Sequence, residues 1–311
     1  MSPLPAELGA QLLQRDWLSA NHTVFAGCDG APATVVDTGY SRHGAMSQAL
    51  IDHALAGETL GRIVNTHLHS DHCGGNALLQ TRDPAVQVWV PQGSVDIVRS
   101  WDEARLSYRY TGQQCPPFRV DGALVPGATL RLGPAYWQVH AAPGHDPDAV
   151  MLFEPQTRTL IAGDALWEDR LAIIFPELEG QDGFGPTEAT LALIERLAPR
   201  VVVPGHGPAF EDVGAALAAS RRRLAAFRRD PQRHLRHAAR ALLMFHMMEH
   251  RHRPRAELLA WLPNTPVFVA MARGSGAEPP AWGRELVDSL LDDGLLADHD
   301  GVLHWAVAPS R

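Results

Sequence analysis

The chain contains no lysine: all 27 of its lysine-or-arginine positions are arginine. That absence excludes catalysis through a Schiff-base lysine and excludes a P-loop, whose phosphate contact is a lysine. Because the bias runs along the whole chain, it reads as composition rather than chemistry. Cysteine is scarce as well. Cys28, Cys73 and Cys115 are too few and too scattered for a disulfide framework, which fits a reducing compartment and leads us to expect a cytoplasmic protein. No 18-residue apolar run occurs, so no membrane span is expected. The start, Met1-Ser-Pro-Leu-Pro-Ala-Glu7, has neither a basic nor an apolar leader segment, so no secretory signal is expected.

What remains is an ordinary globular composition, 45% hydrophobic and 20% charged, without the signature of disorder. With 311 residues the chain is long enough for a substantial core and for two domains. The net charge of −8 is unevenly spread. Residues 221–255 hold 11 arginines against Asp230 and Glu249. Such a segment is either a solvated helix face or the footprint of an anionic partner.

Short runs rich in β-branched and aromatic residues recur between 17 and 205. They are Thr23–Phe25, Ala33–Asp37, Arg62–Thr66, Val86–Val90, Tyr136–His140, Val150–Phe153, Thr159–Ala162 and Arg200–Val203. Helical patterns at 44–56 and 187–198 lie among them, which predicts an α/β fold of two packed sheets with helices outside. Two segments, 101–122 with Tyr108 and Tyr110, and 167–187 with Trp167 and Phe175, resist assignment. They are suspected substrate-binding loops. After residue 210 the pattern changes to helices at 211–229 and 233–252, a short helix after Pro254, a helix at 282–293, and a hairpin turning near His299-Asp-Gly301. We expect a catalytic domain over 1–210 and a helical, winged-helix-like domain over 211–311. The Met244, Met247 and Met248 face is either core or interface, so a homodimer stays open.

The richest stretch is His67-Leu-His69-Ser-Asp71-His72. It places three imidazoles and a carboxylate, all good metal donors, in six residues. In an extended segment His67, His69 and Asp71 share one face, and His72 falls on the other unless the chain turns helical there. Gly74-Gly75 would supply a turn. Three further ligand-type residues follow strands in Gly/Pro contexts: His145 in Pro143-Gly-His145, Asp164 in Gly163-Asp164, and His206 in Pro204-Gly-His206-Gly207. Strand ends hold functional groups rigidly, and glycine lets a backbone approach a metal. Cys73 reads as a packed small residue rather than a ligand.

This set, with Val36-Asp37-Thr-Gly39, resembles the metallo-β-lactamase fold superfamily over residues 17–210. The resemblance implies an αββα sandwich with metals at one edge. It assigns His67, His69 and His145 to one ion, Asp71, His72 and His206 to a second, and Asp164 to a bridge between them. Asp37 would orient the ligand loop from behind. Two divalent ions, zinc by default with iron or manganese as alternatives, would share a hydroxide that attacks an electrophilic centre, steered by Asp71.

The superfamily's classical antibiotic hydrolases carry Cys or Ser where this chain has Asp164. The Asp-bridged pattern looks like the hydroxyacylglutathione hydrolase (glyoxalase II-like) and lactonase groups, which implies cleavage of a thioester, ester or lactone in a small-molecule substrate. Pro143-Gly-His145-Asp-Pro-Asp148 departs from the glyoxalase II pattern, which has a Thr and a second His after that ligand. The basic residues that hold glutathione in that group are not recognisable. The alternatives are a phosphodiesterase or endoribonuclease of the same fold, a mononuclear iron persulfide dioxygenase, and a non-catalytic metal- or DNA-binding regulator. A nucleic-acid partner is the less favoured reading.

Overall fold

A computed structural model describes residues 4–306. Strands β1 (Ala10–Leu13), β2 (His22–Phe25), β3 (Thr34–Val36), β4 (Arg62–Val64), β5 (Gln87–Pro91) and β6 (Gly122–Leu124) form one sheet in that spatial order. The first three pair antiparallel and β3 to β6 pair parallel. Strands β7 (Thr129–Leu132), β8 (Ala135–Ala141), β9 (Val150–Glu154), β10 (Thr159–Gly163) and β11 (Val201–Pro204) form a second sheet, antiparallel except for the parallel pair β10–β11.

The central strands are buried on both faces, and successive residues go to different cores, as a two-residue repeat demands. Val36, Val64, Leu152, Ile161, Val201 and Val203 meet Trp137 and Phe25 between the sheets. Their neighbours Val35, Ile63, Val88 and Val90 face outward. There they meet helices α1 (Gly44–Leu55), α2 (Ser70–Cys73), α3 (Asn76–Arg82), α4 (Val95–Ser100) and α5 (Tyr108–Thr111) through residues such as Ile51, Cys73, Leu79, Ile97 and Tyr108. On the far side Met151, Phe153, Leu160 and Val202 pack against the segment that includes α6 (Phe175–Leu178), and against α7 (Phe184–Leu197) and α8 (Val213–Arg229). Three cores separate four layers, so the expected αββα sandwich is the observed one. Each fully buried aliphatic side chain contributes about 1.5–3 kcal/mol to holding the layers together.

The C-terminal region comprises α9 (Pro231–His250), β12 (His252–Pro254), α10 (Arg255–Trp261), α11 (Pro266–Gly274), α12 (Pro279–Asp292), β13 (Leu296–His299) and β14 (Val302–Trp305). Asp230 ends α8 and caps α9, accepting from the Arg233 amide, and Pro231 takes the first helical position, where its missing N–H costs nothing. The three strands pair in the order β12-β14-β13. Asp300 and Gly301 both have positive φ, 53° and 81°, as the expected two-residue hairpin turn requires. Leu242, Leu243 and Met247 of α9 form a core with Phe268, Met271, Val287, Leu290 and Leu303; Met244 packs against it, so this part of the methionine face is interior.

β1, β6, β7 and α11 were not expected from the sequence. β6 is only three residues long, and β1 is partly exposed, so neither carries a strong pattern of its own. Pairing with β5 and β2 holds them in place. No helix among the described residues is long and apolar enough to cross a membrane.

Candidate metal centre

Beyond β4 the chain bends at Thr66 and His67, is extended again at His69 (φ −67°, ψ 149°) and turns into α2 at Ser70. The one-faced stripe expected for His67, His69 and Asp71 therefore ends at His69. Asp71 leaves it because the helical turn redirects its side chain together with that of His72. The donor atoms of His67, His69 and His145 converge within 4.8 Å of one another, and so do those of Asp71, His72 and His206. Asp164 lies between the groups: Oδ1 is 3.4 Å from His72 Nε2, and Oδ2 is 3.4 Å from His145 Nε2 and 4.0 Å from His206 Nε2. His69 Nδ1 and His145 Nε2 stand 2.7 Å apart, and His206 Nε2 is 3.1 Å from Asp71 Oδ2. All seven expected residues are brought together.

The glycines serve space as well as turning. Gly74 and its neighbour Gly75 have right-handed helical backbone, with φ −62° and −80°. A Cβ on Gly74 would come within 2.5 Å of Ser70 O, and one on Gly75 within 2.5 Å of Thr38 O. A Cβ on Gly205 would lie 2.1 Å from Asp164 Oδ1 and 2.8 Å from His72 Cε1. The expected turn at Gly74-Gly75 joins α2 to α3, and it is also a close approach to the β3 loop.

Asp37, held at φ +58°, accepts from the Thr66 amide at Oδ1 (2.9 Å) and from Thr66 Oγ1 and His72 Nδ1 at Oδ2 (2.8 Å each). It does not enter the cluster; it fixes the His72 tautomer with Nε2 facing Asp164, the arrangement expected of a group behind a ligand. His145 is fixed similarly, its Nδ1–H donating to the Ile173 carbonyl at 2.5 Å. Asn21, which the sequence did not single out, staples the His206 loop: its side chain donates to the carbonyls of Pro204 (2.9 Å) and Gly207 (2.8 Å).

Electrostatics favour a bound cation. His67 Nε2 and His72 Nε2 are buried without a hydrogen-bond partner, a cost of about 1–3 kcal/mol for each such group left unsatisfied. Burial and the neighbouring rings, His72 first, hold His67 well below the ordinary histidine range, and burial with His145 brings His69 down to about 3. Neutral imidazoles with free lone pairs are metal donors. Burial also opposes charge on His72, but Asp164 and Asp37 outweigh it and push its pKa well above the ordinary value. Burial raises the Asp164 carboxyl, yet His72 and His206 more than reverse that and hold it well below the ordinary range. A ring between two carboxylates asks for positive charge at Nε2, which a divalent ion supplies as well as a proton does. The residues present fit such ions.

Around the cluster stands an aromatic wall. Trp167 Nε1 donates to Asp164 Oδ1 (3.1 Å) and sets its ring edge-on to His206 at 5.5 Å. Phe175 lies 4.5 Å from His69 and 5.5 Å from His145. Trp17 stacks on His206 at 5.5 Å while 38% exposed, and the Arg170 guanidinium sits over the Trp17 ring at 4.6 Å. Trp17 was missed from sequence because nothing in Arg15-Asp-Trp17 marks it.

Tyr108 corrects an expectation. It is buried in the first core, and its hydroxyl donates to the Leu68 carbonyl at 2.9 Å, so it buttresses the ligand loop from beneath and cannot meet substrate. Tyr110 packs in the C-terminal core, its hydroxyl 3.5 Å from the Leu178 carbonyl, joining the two long loops. Cys73 is fully buried beside Tyr108, and burial raises its thiol well above the ordinary range, as suits a packing residue.

A family model described as the metallo-beta-lactamase superfamily matches residues 15–206. Acyl-coenzyme A thioesterase MBLAC2 of Bos taurus is 25% identical over 157 residues, covering 46% of this chain and 54% of that protein. Hydroxyacylglutathione hydrolase of Thermosynechococcus vestitus is 33% identical over 111 residues, 36% of each chain. The match thus spans about half, or less, of these relatives' length. The solved structure of a beta-lactamase domain protein from Burkholderia ambifaria aligns over 98% of this chain and 96% of its own, with a TM-score of 0.59 and 22% identity, a likeness of fold.

Proposed function

The chain belongs to the metallo-β-lactamase superfamily, and on that premise we propose that it is a metal-dependent hydrolase of acyl thioesters. The observation that carries this reading is the convergence of seven donor residues, Asp164 among them, with the His67 and His72 Nε2 atoms buried without a hydrogen-bond partner. In the proposed assignment His67, His69 and His145 would hold one divalent ion and Asp71, His72 and His206 a second, with Asp164 placed to serve either. Such ions lower the pKa of a bound water toward neutrality and polarise the carbonyl under attack; zinc is the default for this donor set.

The protein's own groups do the rest. Burial would raise the Asp71 carboxyl, but the hydrogen bond from His206 and the neighbouring imidazoles bring it below the ordinary range. It therefore stays ionised to orient the nucleophile and take its proton. Trp167 holds Asp164 in place, and Trp17, Trp167 and Phe175 wall off the site from bulk water. Asp164 supports an acyl substrate over a β-lactam, because the classical antibiotic hydrolases have Cys or Ser there. The names of the two curated relatives, one an acyl-coenzyme A thioesterase and one a hydroxyacylglutathione hydrolase, support thioesters among acyl substrates.

The charge pattern also disfavours a phosphodiester. Arg221, Arg240 and Arg255 of the basic segment pair with Glu195, Asp293 and Asp288, acids from outside it. A panel of acyl thioesters, lactones, nitrocefin, a phosphodiester and glutathione persulfide, tested on zinc- and iron-loaded protein, decides the reaction. We expect thioester turnover that disappears in Asp164→Ala and His145→Ala. Turnover surviving complete chelation, or turnover confined to the phosphodiester or persulfide, rejects this reading.

A further inference from the structure

The wall segment that touches the ligands is gripped by helices outside the sandwich core. Arg223 of α8 donates to the Asp169 carbonyl at 2.7 Å, and His237 of α9 lies against the Leu171 backbone. The third grip is His234 of α9, whose Nε2 accepts from the Ile174 N–H at 3.2 Å. His234 is buried between the rings of Phe184 and Phe227, at 5.5 and 5.1 Å. The peptide bond between Ile173 and Ile174 thus has both ends engaged. Its carbonyl takes the Nδ1 proton of His145, and its N–H is given to His234. A peptide unit is planar and trans, so its C=O and N–H point in opposite directions and turn together. Fixing the N–H fixes the carbonyl, and the carbonyl sets the ring plane and tautomer of His145.

We propose that His234 is a positioning residue for the metal centre, acting through the Ile173–Ile174 peptide to hold His145 Nε2 on the His67/His69 side of the site. The proposal rests on the reading of His145 as a ligand. It explains why the C-terminal region needs a polar, neutral acceptor inside an aromatic pocket. Burial brings the His234 pKa down to about 4, so the ring keeps its lone pair near neutrality. Losing an outer partner of this kind weakens metal affinity by about 10–100-fold.

The test is a zinc titration of metal-free protein against a chromophoric chelator, with thermal unfolding measured beside it. The variants are His234→Leu, which fills the space without accepting, and His234→Gln, whose amide oxygen can accept. His145→Ala marks which of the two affinities belongs to the His67/His69 side, and Leu243→Ala is a control at another buried position of α9. His234→Leu is expected to weaken the affinity that His145→Ala abolishes, by about 10–100-fold, and to leave the other intact. His234→Gln should recover most of the loss, and Leu243→Ala should lower the melting temperature without touching either affinity. If leucine does not fold, His234→Met gives the same comparison with a far weaker acceptor. Unaltered zinc binding in His234→Leu or His234→Met beside a defective His145→Ala overturns the proposal alone. Unaltered binding in His145→Ala overturns the ligand reading and this proposal with it.

Discussion

His72 is the residue on which the site turns. Its Nδ1–H is committed to Asp37 and its Nε2 faces Asp164, so the ring has one tautomer and one open lone pair. Asp37 makes this possible by accepting from three donors with two oxygens. An asparagine has only one acceptor oxygen, so whichever way its amide faces, a buried donor meets an N–H. We therefore expect Asp37→Asn to weaken metal binding by about 10–100-fold in chelator competition while the sandwich still forms. Unchanged affinity would show that Asp37 serves only the Thr66 turn. At this scale the sequence was highly legible for the donors, because a metal centre demands a few residue types and leaves few substitutes. It was mute on Trp17 and Asn21. A stacking ring and a loop staple are defined by what they touch, and His206 lies far along the chain from both.

Among the elements, strands with both faces covered read clearly, since their branched residues fill cores on either side. α9 carries a different message. Its histidines His234, His237 and His246 are all pushed below the ordinary range, chiefly by burial. The consequence for His234 has a definite sign. The unfolded chain takes up a proton near pH 6.5, whereas the folded ring resists until about pH 4. Its contribution is fully present above 6.5 and is lost as pH falls from 6.5 toward 4, up to about 3 kcal/mol in all. Urea unfolding from pH 7 to pH 4 should show a steeper loss for the wild type than for His234→Gln. Parallel curves would mean that the ring is solvated in the folded state. The helix's period showed which face is inside, but a histidine on that face gave no sign of whether it would be neutral, paired or bound to metal.

The whole molecule gives part of the basic segment partners of its own. Read along the chain, 11 arginines between 221 and 255 suggest an anionic partner. In the fold Arg221, Arg240 and Arg255 meet acids of α7, the end of α12 and α12 itself, while Arg223 and Arg228 donate to the carbonyls of Asp169 and Phe184. Exposed pairs of this kind contribute little to stability, but they leave fewer free guanidinium groups for phosphates. We expect a filter-binding measurement at low salt, without added metal, to find no affinity for single- or double-stranded nucleic acid. Binding whose logarithm falls linearly with that of salt concentration would reverse this expectation and reopen the phosphodiester reading.

The sequence by itself determined the chemistry available and the layered fold around it. His67 to His72, His145, Asp164 and His206 mark a candidate metal centre because donor type and strand-end position are local properties. Only the tertiary structure brought the donors together, since His145, Asp164 and His206 reach the His67–His72 loop from other strand ends. It alone showed that Tyr108 lies beneath the ligand loop, that Trp17 stands over His206, and that α9 reaches the centre through one peptide bond. Each of these joins residues far apart in the chain, and such proximity follows from packing the layers rather than from any local pattern.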